Sequence, residues 1–186
     1  LDPESETIKK SALATVCAAR ILTEQESGRG SITLIGATQE TLAVIKENAA
    51  INPNVTINVF SHITDRSIYF AHVACSDLLI MPSLKEGFGL VAWEAIGLGI
   101  PVIISESSGV YELLRNKNLA HLTTTIKLTG NDDHDDSVLI AAIHHVFDSY
   151  PDIMSKAVEL NAALKSYTWE RSAADFINLL PVDGSV

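Results

Sequence analysis

The sequence predicts an α/β domain in which a parallel sheet is covered by helices on both faces. Short apolar runs, such as Asp77–Pro82 and Pro101–Ser105, suit strands that are buried on both faces. These runs alternate with segments whose apolar residues recur at helical spacing, and such alternation argues for parallel strands joined by crossover helices. With 186 residues, 47% of them apolar and 19% charged, the chain can bury a core as a single domain over 1–186.

The first part of the chain carries two strand patterns between helical ones. Val55–Phe60 alternates with a period of two, which is typical of a strand, and Ser31–Gly36 is a strand pattern that ends at a glycine. The predicted elements are, in order, a helix with apolar residues from Ile8 to Leu22, a strand over Ser31–Gly36, a helix from Thr38 that Asn52-Pro53-Asn54 stops, a strand over Val55–Phe60 and a short helix over Asp65–Ala74.

The second part continues the alternation and then becomes helical. A small-residue loop, Ser107–Gly109, follows one strand and opens a short helix, whereas the acidic segment Thr129–Ser137 is sequential and polar. We therefore expect that segment to be a solvated loop and not a metal site. The predicted elements are a strand over Asp77–Pro82, helices over Leu90–Leu98 and Val110–Leu114 with a strand over Pro101–Ser105 between them, a strand over Leu119–Thr123, and helices over Val138–Ser149, Pro151–Lys165 and Trp169–Leu180.

One stretch, Glu86–Glu94, points to a ligand. Between Leu90 and Leu98 every residue except Glu94 is apolar or glycine, which is the pattern of a helix buried on all sides. An ionised carboxylate in such a place costs several kcal/mol unless hydrogen-bond donors reach it. Those donors come from the protein, from water or from a ligand.

The residues before this helix indicate what kind of ligand would fit. Gly87 and Gly89 let a ligand approach the backbone, and the first amides of the helix suit an anion such as a phosphate. The carboxylates of Glu86 and Glu94 would repel phosphate but would accept hydrogen bonds from hydroxyls. The combination predicts a ligand that carries both phosphates and sugars.

The same stretch resembles the Glu-x7-Glu motif of group 1, family 4 retaining glycosyltransferases, which have the GT-B fold. The resemblance runs from Asp77–Ser83 through Ser107–Glu112 and resumes at Tyr167–Ala173, so it covers most of the chain in the expected order. It implies a Rossmann-like domain, the donor-binding C-terminal half of a GT-B enzyme. The acceptor half would lie upstream, and because the chain begins at Leu1 without a methionine we expect a fragment that is inactive alone.

The resemblance also implies roles for individual residues. Glu86 would be the catalytic-site residue that contacts the donor sugar, and Glu94 would bind the ribose hydroxyls. The amides of Phe88, Gly89 and Leu90 would hold the sugar or the diphosphate. The donor would be a nucleotide-diphosphate sugar, with transfer of a hexose, retention at the anomeric carbon, and neither a metal nor another cofactor.

Two further positions are candidates for the same site. Ser108 and Gly109 follow a strand at the sheet edge where ligands bind in open α/β folds, although a simple turn is the alternative. His62 is a candidate to line the site of the nucleobase. It lies in the loop after Val55–Phe60, where Ser61 stands in place of the glycine that is usual in the family.

The family's phosphate-binding cations are missing from the expected positions. The arginine would precede Leu1, and Ser5 stands where a lysine is expected. Lys9 and Lys10 are possible substitutes, with solvated helix lysines as the alternative. The departures leave a second hypothesis open: a non-catalytic, glycosyltransferase-like module that senses a ligand or serves assembly. Another GT-B enzyme, such as a sugar-nucleotide epimerase, is a third.

Composition excludes some classes of function. A net charge of −10 argues against nucleic-acid binding, which needs a basic surface. No stretch approaches the roughly 20 apolar residues of a membrane span, and nothing resembles a signal peptide, so we expect a cytoplasmic protein. Cys17 and Cys75 fall in apolar helical segments, which predicts two buried free thiols.

Overall fold

The computed structural model describes residues 14, 15, 17–19, 21, 30–37, 43, 55–168 and 171 of the chain. Most of the predicted helix over Ile8–Leu22 and of the helix from Thr38 lies outside the described residues, as do Ser5 and nearly all of Trp169–Leu180. Where the first of these helices is described, Cys17 and Ile21 are helical and buried, as predicted.

Five described strands form two parallel sheets. β1 (Gly30–Ile35) pairs with β2 (Val55–Phe60), with Gly30 opposite Val55. The second sheet holds β3 (Leu79–Met81), β4 (Val102–Ser105) and β5 (Thr124–Ile126), in the order β3-β4-β5. The prediction of parallel strands is confirmed.

Helices follow the strands, as a parallel sheet requires. They are α1 (Arg66–Ala74), α2 (Leu90–Gly97), α3 (Gly109–Asn116), α4 (Asp132–Asp148) and α5 (Tyr150–Leu164). Asp65 caps α1, because its side chain accepts hydrogen bonds from the amides of Ser67 and Ile68 at 2.8 and 3.3 Å. No helix within the described ranges is long and apolar enough to cross a lipid bilayer.

β4 lies at the centre of the core. Its successive side chains pack alternately into two apolar clusters, so both faces of its sheet are covered. Val102 and Ile104 pack in one cluster with α2, α3 and α5, whereas Ile103 packs in a second cluster with α4. All four residues of β4 are buried. The predicted sheet with helices on both faces is therefore confirmed for the three-stranded sheet, and β1 with β2 has a small cluster of its own around Leu34.

The predicted strand over Leu119–Thr123 is wrong. Asn118 has a left-handed backbone (φ 56°), and the amide of Leu119 donates to Leu114 O at 2.8 Å, which ends α3. A 3-10 turn over Ala120–Leu122 follows, and pairing with β4 begins only at Thr124. The apolar residues of this segment suggested a buried strand, but they pack at the end of α3 instead.

The prediction that the acidic segment Thr129–Ser137 is a solvated loop is wrong from Asp132 onward, where the segment is helical. Asn131 caps α4 by accepting from the amide of His134 at 3.0 Å, and the helix begins at Asp132. Asp135 is fully buried, and its carboxylate accepts hydrogen bonds from both amides of the Thr129–Gly130 turn, at 2.8 and 3.0 Å. Acidic residues favour a helix start because they complement its dipole.

The two cysteines have different environments. Cys17 is 1% exposed, as predicted, and its thiol donates to Asp136 Oδ1 at 2.8 Å. The prediction that Cys75 is buried is wrong, because Cys75 follows the last turn of α1 and is exposed there. Neither cysteine forms a disulfide bond.

Candidate functional site

Glu86 lies in the loop between β3 and α2 and is fixed by its neighbours. Its Oε1 accepts from the amide of Gly87 at 3.1 Å, and its Oε2 accepts from Ser83 Oγ at 3.2 Å. The side chain is partly buried and borders two cavities. A carboxylate in that position can accept hydrogen bonds from a ligand that enters either one.

Gly89 sets the start of α2. Its φ of +93° is left-handed, and a Cβ there would lie 2.8 Å from Met81 Cε, so glycine is the residue that fits. The first hydrogen bond of the helical pattern runs from Trp93 N to Gly89 O, at 3.1 Å. Within the described ranges, the amides of residues 88–92 have no acceptor.

Four of those five amides belong to residues 88–91, which line the larger cavity, of about 420 Å³. The positive end of the α2 dipole lies at the same place. Phe88, Gly89 and Leu90, predicted from the sequence as ligand-binding residues, are thus brought together with Glu86 around one space. The lining residues are Ile80, Met81, Pro82, Ser83, Glu86, Phe88, Gly89, Leu90 and Val91.

A second cavity, of about 310 Å³, lies on the other side of Glu86. It is more polar, because three carboxylates and one guanidinium border it. Its lining residues are Glu86, Gly87, Glu106, Ser107, Ser108, Gly109, Tyr111, Glu112 and Arg115.

Ser108 and Gly109 border that second cavity, but their polar groups are used within the protein. Ser108 is 4% exposed, donates to Ser105 O at 2.7 Å and caps α3 by accepting from the amide of Tyr111 at 3.3 Å. The amides of Gly109 and Val110 donate to the carbonyls of Gly87 and Phe88 at 2.9 and 2.7 Å. This favours the alternative that the segment is a turn, which here holds the glycine loop in place.

Glu94 is not enclosed in the way that the apolar pattern predicts. Leu90, Val91 and Leu98 are 56%, 45% and 41% exposed, and the Glu94 side chain is 22% exposed, so the expectation of a helix buried on all sides is wrong. The buried residues of α2 are Ala92, Ala95 and Ile96. Glu94 lines neither cavity.

The donor that Glu94 requires comes from the protein. Arg66, at the start of α1, places Nη2 3.2 Å from Glu94 Oε1, and its guanidinium lies 5.0 Å above the ring of Phe70. The Arg66 side chain is itself 74% exposed. Sequence reasoning missed this residue, because no periodicity or motif relates the start of α1 to the middle of α2.

Tyr69 is a second group near Glu94 that the sequence does not reveal. Its hydroxyl is buried and has no hydrogen-bond partner in the described part of the chain. Burial raises the pKa of the Tyr69 phenol, and the nearby Glu94 carboxylate raises that pKa further.

His62 is exposed in the loop after β2 and lines neither cavity, so its role at a nucleobase stays a prediction. Ser61 is exposed beside it. The described residues contain no group of three or more His, Cys, Asp or Glu side chains that could hold a metal ion.

Comparison with known proteins identifies relatives of the chain. A family model described as family 4 glycosyltransferase in conflict systems matches residues 2–176. A probable sucrose-phosphate synthase of Thermosipho melanesiensis is 27% identical over 103 residues, which are 55% of this chain and 22% of that protein. The N-acetyl-alpha-D-glucosaminyl L-malate synthase of Bacillus anthracis is 33% identical over 76 residues, 37% of this chain and 20% of that protein.

A solved structure shows the same fold. The trehalose-6-phosphate protein from E. coli, solved with UDP-2-fluoro glucose bound, superposes with a TM-score of 0.62 at 14% identity. The match covers 91% of this chain and 40% of that one. The chain thus spans about a fifth of the length of the curated relatives it matches and two fifths of this structure.

Proposed function

Since the chain belongs to the family 4 glycosyltransferases of conflict systems, we propose that it binds a nucleotide-diphosphate sugar and contributes the donor half of a hexosyltransferase. One observation carries the proposal: Glu86 and residues 88–91, whose amides have no acceptor in the described part of the chain, line the same cavity of about 420 Å³. Amides suit phosphate oxygens and a carboxylate suits sugar hydroxyls, so a molecule with both groups fits best.

The placement of the ligand follows from these groups. The diphosphate lies against the amides of residues 88–91, where the helix dipole adds roughly half a positive charge. Glu86 accepts hydrogen bonds from the hexose hydroxyls. Glu94, one to two turns along α2, accepts them from the ribose.

The proposed reaction retains the configuration at the anomeric carbon. The bond between that carbon and the diphosphate oxygen breaks, and the diphosphate leaves with the electron pair. An acceptor hydroxyl attacks from the same face, and its proton passes to the leaving phosphate oxygen. The residues of this chain position the donor, and no protein nucleophile takes part.

One observation favours the second candidate, a non-catalytic module that senses a ligand. Among the described residues that line the larger cavity there is no lysine or arginine. A departing diphosphate gains several kcal/mol from a preorganised cation, so a site without one would bind the donor and transfer slowly. Ser5, in the position where the resemblance places a lysine, points the same way.

The partner that the proposal requires is an acceptor-binding half. Phe88, Leu90 and Val91 border the larger cavity, and they are 38%, 56% and 45% exposed. An apolar rim beside a ligand site is typical of a surface that another domain covers. We propose that an N-terminal half of the same protein covers it and supplies the acceptor site.

The test is calorimetry with nucleoside diphosphates and their sugar conjugates. We expect one of them to bind, and Glu86→Gln and Glu94→Gln each to weaken it by roughly tenfold or more, since each removes a charge-assisted hydrogen bond. Glu159→Gln is the matched control, because Glu159 is exposed on α5, away from both cavities. If no compound binds, or if the control weakens binding equally, the proposal is wrong.

Transfer is measured separately from binding. The intact protein, incubated with the bound sugar nucleotide and candidate sugar acceptors, should release the nucleoside diphosphate in step with the glycosylated product. Release that stops after Glu86→Gln supports the transferase. Tight binding with no turnover under any acceptor supports the sensing module.

A further inference from the structure

The second cavity, of about 310 Å³, is bordered by polar groups that the protein leaves unpaired. Glu112 and Arg115 lie on its α3 side and are exposed, with Tyr111 beside them. Over the described ranges, no hydrogen bond or ion pair engages either charged side chain or the Tyr111 hydroxyl. Glu106 accepts from Thr125 Oγ1 at 3.5 Å, which is the limit of a hydrogen bond. These groups are available to a ligand.

The charge of the cavity indicates the sign of that ligand. The amides of residues 109–112, at the start of α3, donate to Gly87 O, Phe88 O and the hydroxyl and carbonyl of Ser108, so they offer nothing to a phosphate. Three carboxylates and one guanidinium border the cavity and leave it net negative. Such a lining repels anions and attracts cations.

The spacing of the carboxylates indicates a ligand of several atoms. A calcium or magnesium ion needs oxygen ligands that converge to about 2.0–2.6 Å from one point. The part of the chain that the structure describes holds no group of three or more acidic, His or Cys side chains that could do this. The carboxylates of the cavity are therefore spread around its wall, and a ligand that meets more than one of them has to span the space between them.

The other groups of the lining favour hydroxyls on the same molecule. Arg115 and Tyr111 can donate to hydroxyl oxygens, and the carboxylates can accept from both hydroxyls and an ammonium group. A guanidinium disfavours a long polyamine, and Tyr111 alone cannot form the aromatic cage that a methylated ammonium prefers. The volume is near the lower end for ligand pockets, roughly 300 Å³, so it suits one small molecule.

We propose that this cavity is a second ligand site, which binds an amino sugar. Its ammonium group pairs with the carboxylates of Glu106 and Glu112, and its hydroxyls contact Arg115 and Tyr111. The site is distinct from the larger cavity, but Glu86 borders both. An amino sugar here lies beside the proposed donor and does not replace it.

NMR titration of the intact protein with glucosamine, without any nucleotide, tests the proposal. A molecule of this size in an open cavity binds at roughly millimolar concentration, which this method measures. We expect protonated glucosamine to bind about five- to tenfold more tightly than glucose or N-acetylglucosamine, which keep the ring but carry no charge. Glucose 6-phosphate should bind most weakly. Equal binding of all four, or a preference for the phosphate, would overturn the proposal.

Charge variants show whether the preference arises in this cavity. Their readout is the ratio of glucosamine affinity to glucose affinity, because a merely structural effect would change both sugars equally. Glu106→Gln and Glu112→Gln should each lower the ratio by about two- to fivefold, and Arg115→Gln should raise it by a similar factor. Glu159→Gln, an exposed carboxylate on α5 that borders neither cavity, is the matched control and should leave the ratio unchanged. A ratio that the three variants leave unchanged, or that Arg115→Gln lowers, would refute the site.

Two further probes test the ligand class. Spermidine and calcium ions should each bind more weakly than glucosamine, and tighter binding of either would show that the cavity does not select an amino sugar. The proposed function is tested apart from this, by calorimetry with nucleotides. Glucosamine binding without nucleotide binding would refute the donor site alone, whereas nucleotide binding without a preference for glucosamine would refute the second site alone.

Discussion

Gly109→Ala should strongly destabilise the protein, because the start of α3 and the glycine loop touch at this residue. A Cβ on Gly109 would lie 2.6 Å from Gly87 O and 3.0 Å from Phe88 Cα. Both neighbours are backbone atoms, so no side chain can rotate away. The loop between β3 and α2 has to move.

The magnitude follows from two effects. Overpacking of this kind costs about 1–3 kcal/mol. Moving the loop also weakens the two hydrogen bonds, 2.9 and 2.7 Å long, that Gly109 and Val110 donate to it. Each of these contributes about 1 kcal/mol, so we expect a loss of roughly 3 kcal/mol in the free energy of unfolding.

Urea denaturation measures the loss, and Gly97→Ala is the control. Gly97 lies at the end of α2 with nothing within 4 Å of a built Cβ. Alanine at such a helical position should stabilise the protein by about 0.5 kcal/mol. If Gly109→Ala unfolds at the same urea concentration as the unmodified protein, close packing of Gly109 against the backbone of Gly87 and Phe88 does not limit the residue at this position.

Three other changes test contacts outside the glycine loop. Asp135→Asn should lower the free energy of unfolding by about 2 kcal/mol, since the buried carboxylate accepts from both amides of the Thr129–Gly130 turn and an amide nitrogen would oppose one of them; thermal unfolding measures this. Asn161→Leu should cost about 1 kcal/mol in the same assay, because its side chain donates to two carbonyls of the last turn of α2, at 3.0 and 2.7 Å. Lys117→Met should raise the pKa of the Tyr167 phenol in an ultraviolet titration, because a hydrogen bond from Lys117 and its charge hold that pKa below its ordinary value.

Asp133→Asn is the control for Asp135→Asn, and Tyr167→Phe is the control for the titration. Asp133→Asn alters the same first turn of α4 but an exposed side chain, and should change stability by less than about 0.5 kcal/mol. Equal losses in Asp133→Asn and Asp135→Asn would contradict the role given to burial. Tyr167→Phe identifies the phenol that ionises at the lowest pH. If Lys117→Met leaves the pKa of the Tyr167 phenol unchanged, the role given to the lysine is wrong.

Much of the sheet could be predicted, because the strands depend on local composition. Val102–Ser105 is apolar enough to be buried on both faces, and a strand with that composition is stable mainly in the centre of a parallel sheet. The period-two pattern of Val55–Phe60 likewise gave a strand with the bounds observed. In both cases the residues that determine the element are those that form it.

The predictions that were wrong concern residues whose neighbours are distant in sequence. Leu119–Thr123 is apolar enough for a strand, but the preceding left-handed Asn118 and the packing of Leu122 against the end of α3 give a turn. Asp135 has the same side chain as its exposed neighbour Asp133, and only the fold of the turn before α4 makes it buried. Composition cannot separate such cases because the deciding contacts are tertiary.

The site shows the same division between local and tertiary information. The glycines and Glu86 predicted a loop that borders both cavities, because a left-handed Gly89 and helix amides without acceptors in the described part of the chain are local properties. Glu94, predicted for the same site, lines neither cavity. The pairing of Glu94 with Arg66 joins two helices 28 residues apart and has no sequence signal. Composition also misjudged the exposure of α2, because an apolar face is equally suited to a core and to an interface. Leu90 and Val91 are exposed here, and the same side chains would be buried if an acceptor half packs over the cavity. If a second domain completes the proposed donor site, their exposure in the described domain agrees with the apolar pattern of the sequence. Limited proteolysis and hydrogen exchange at α2 test this, because a second domain that covers α2 should protect it. Unchanged exchange and cleavage in the presence of that domain would contradict the explanation.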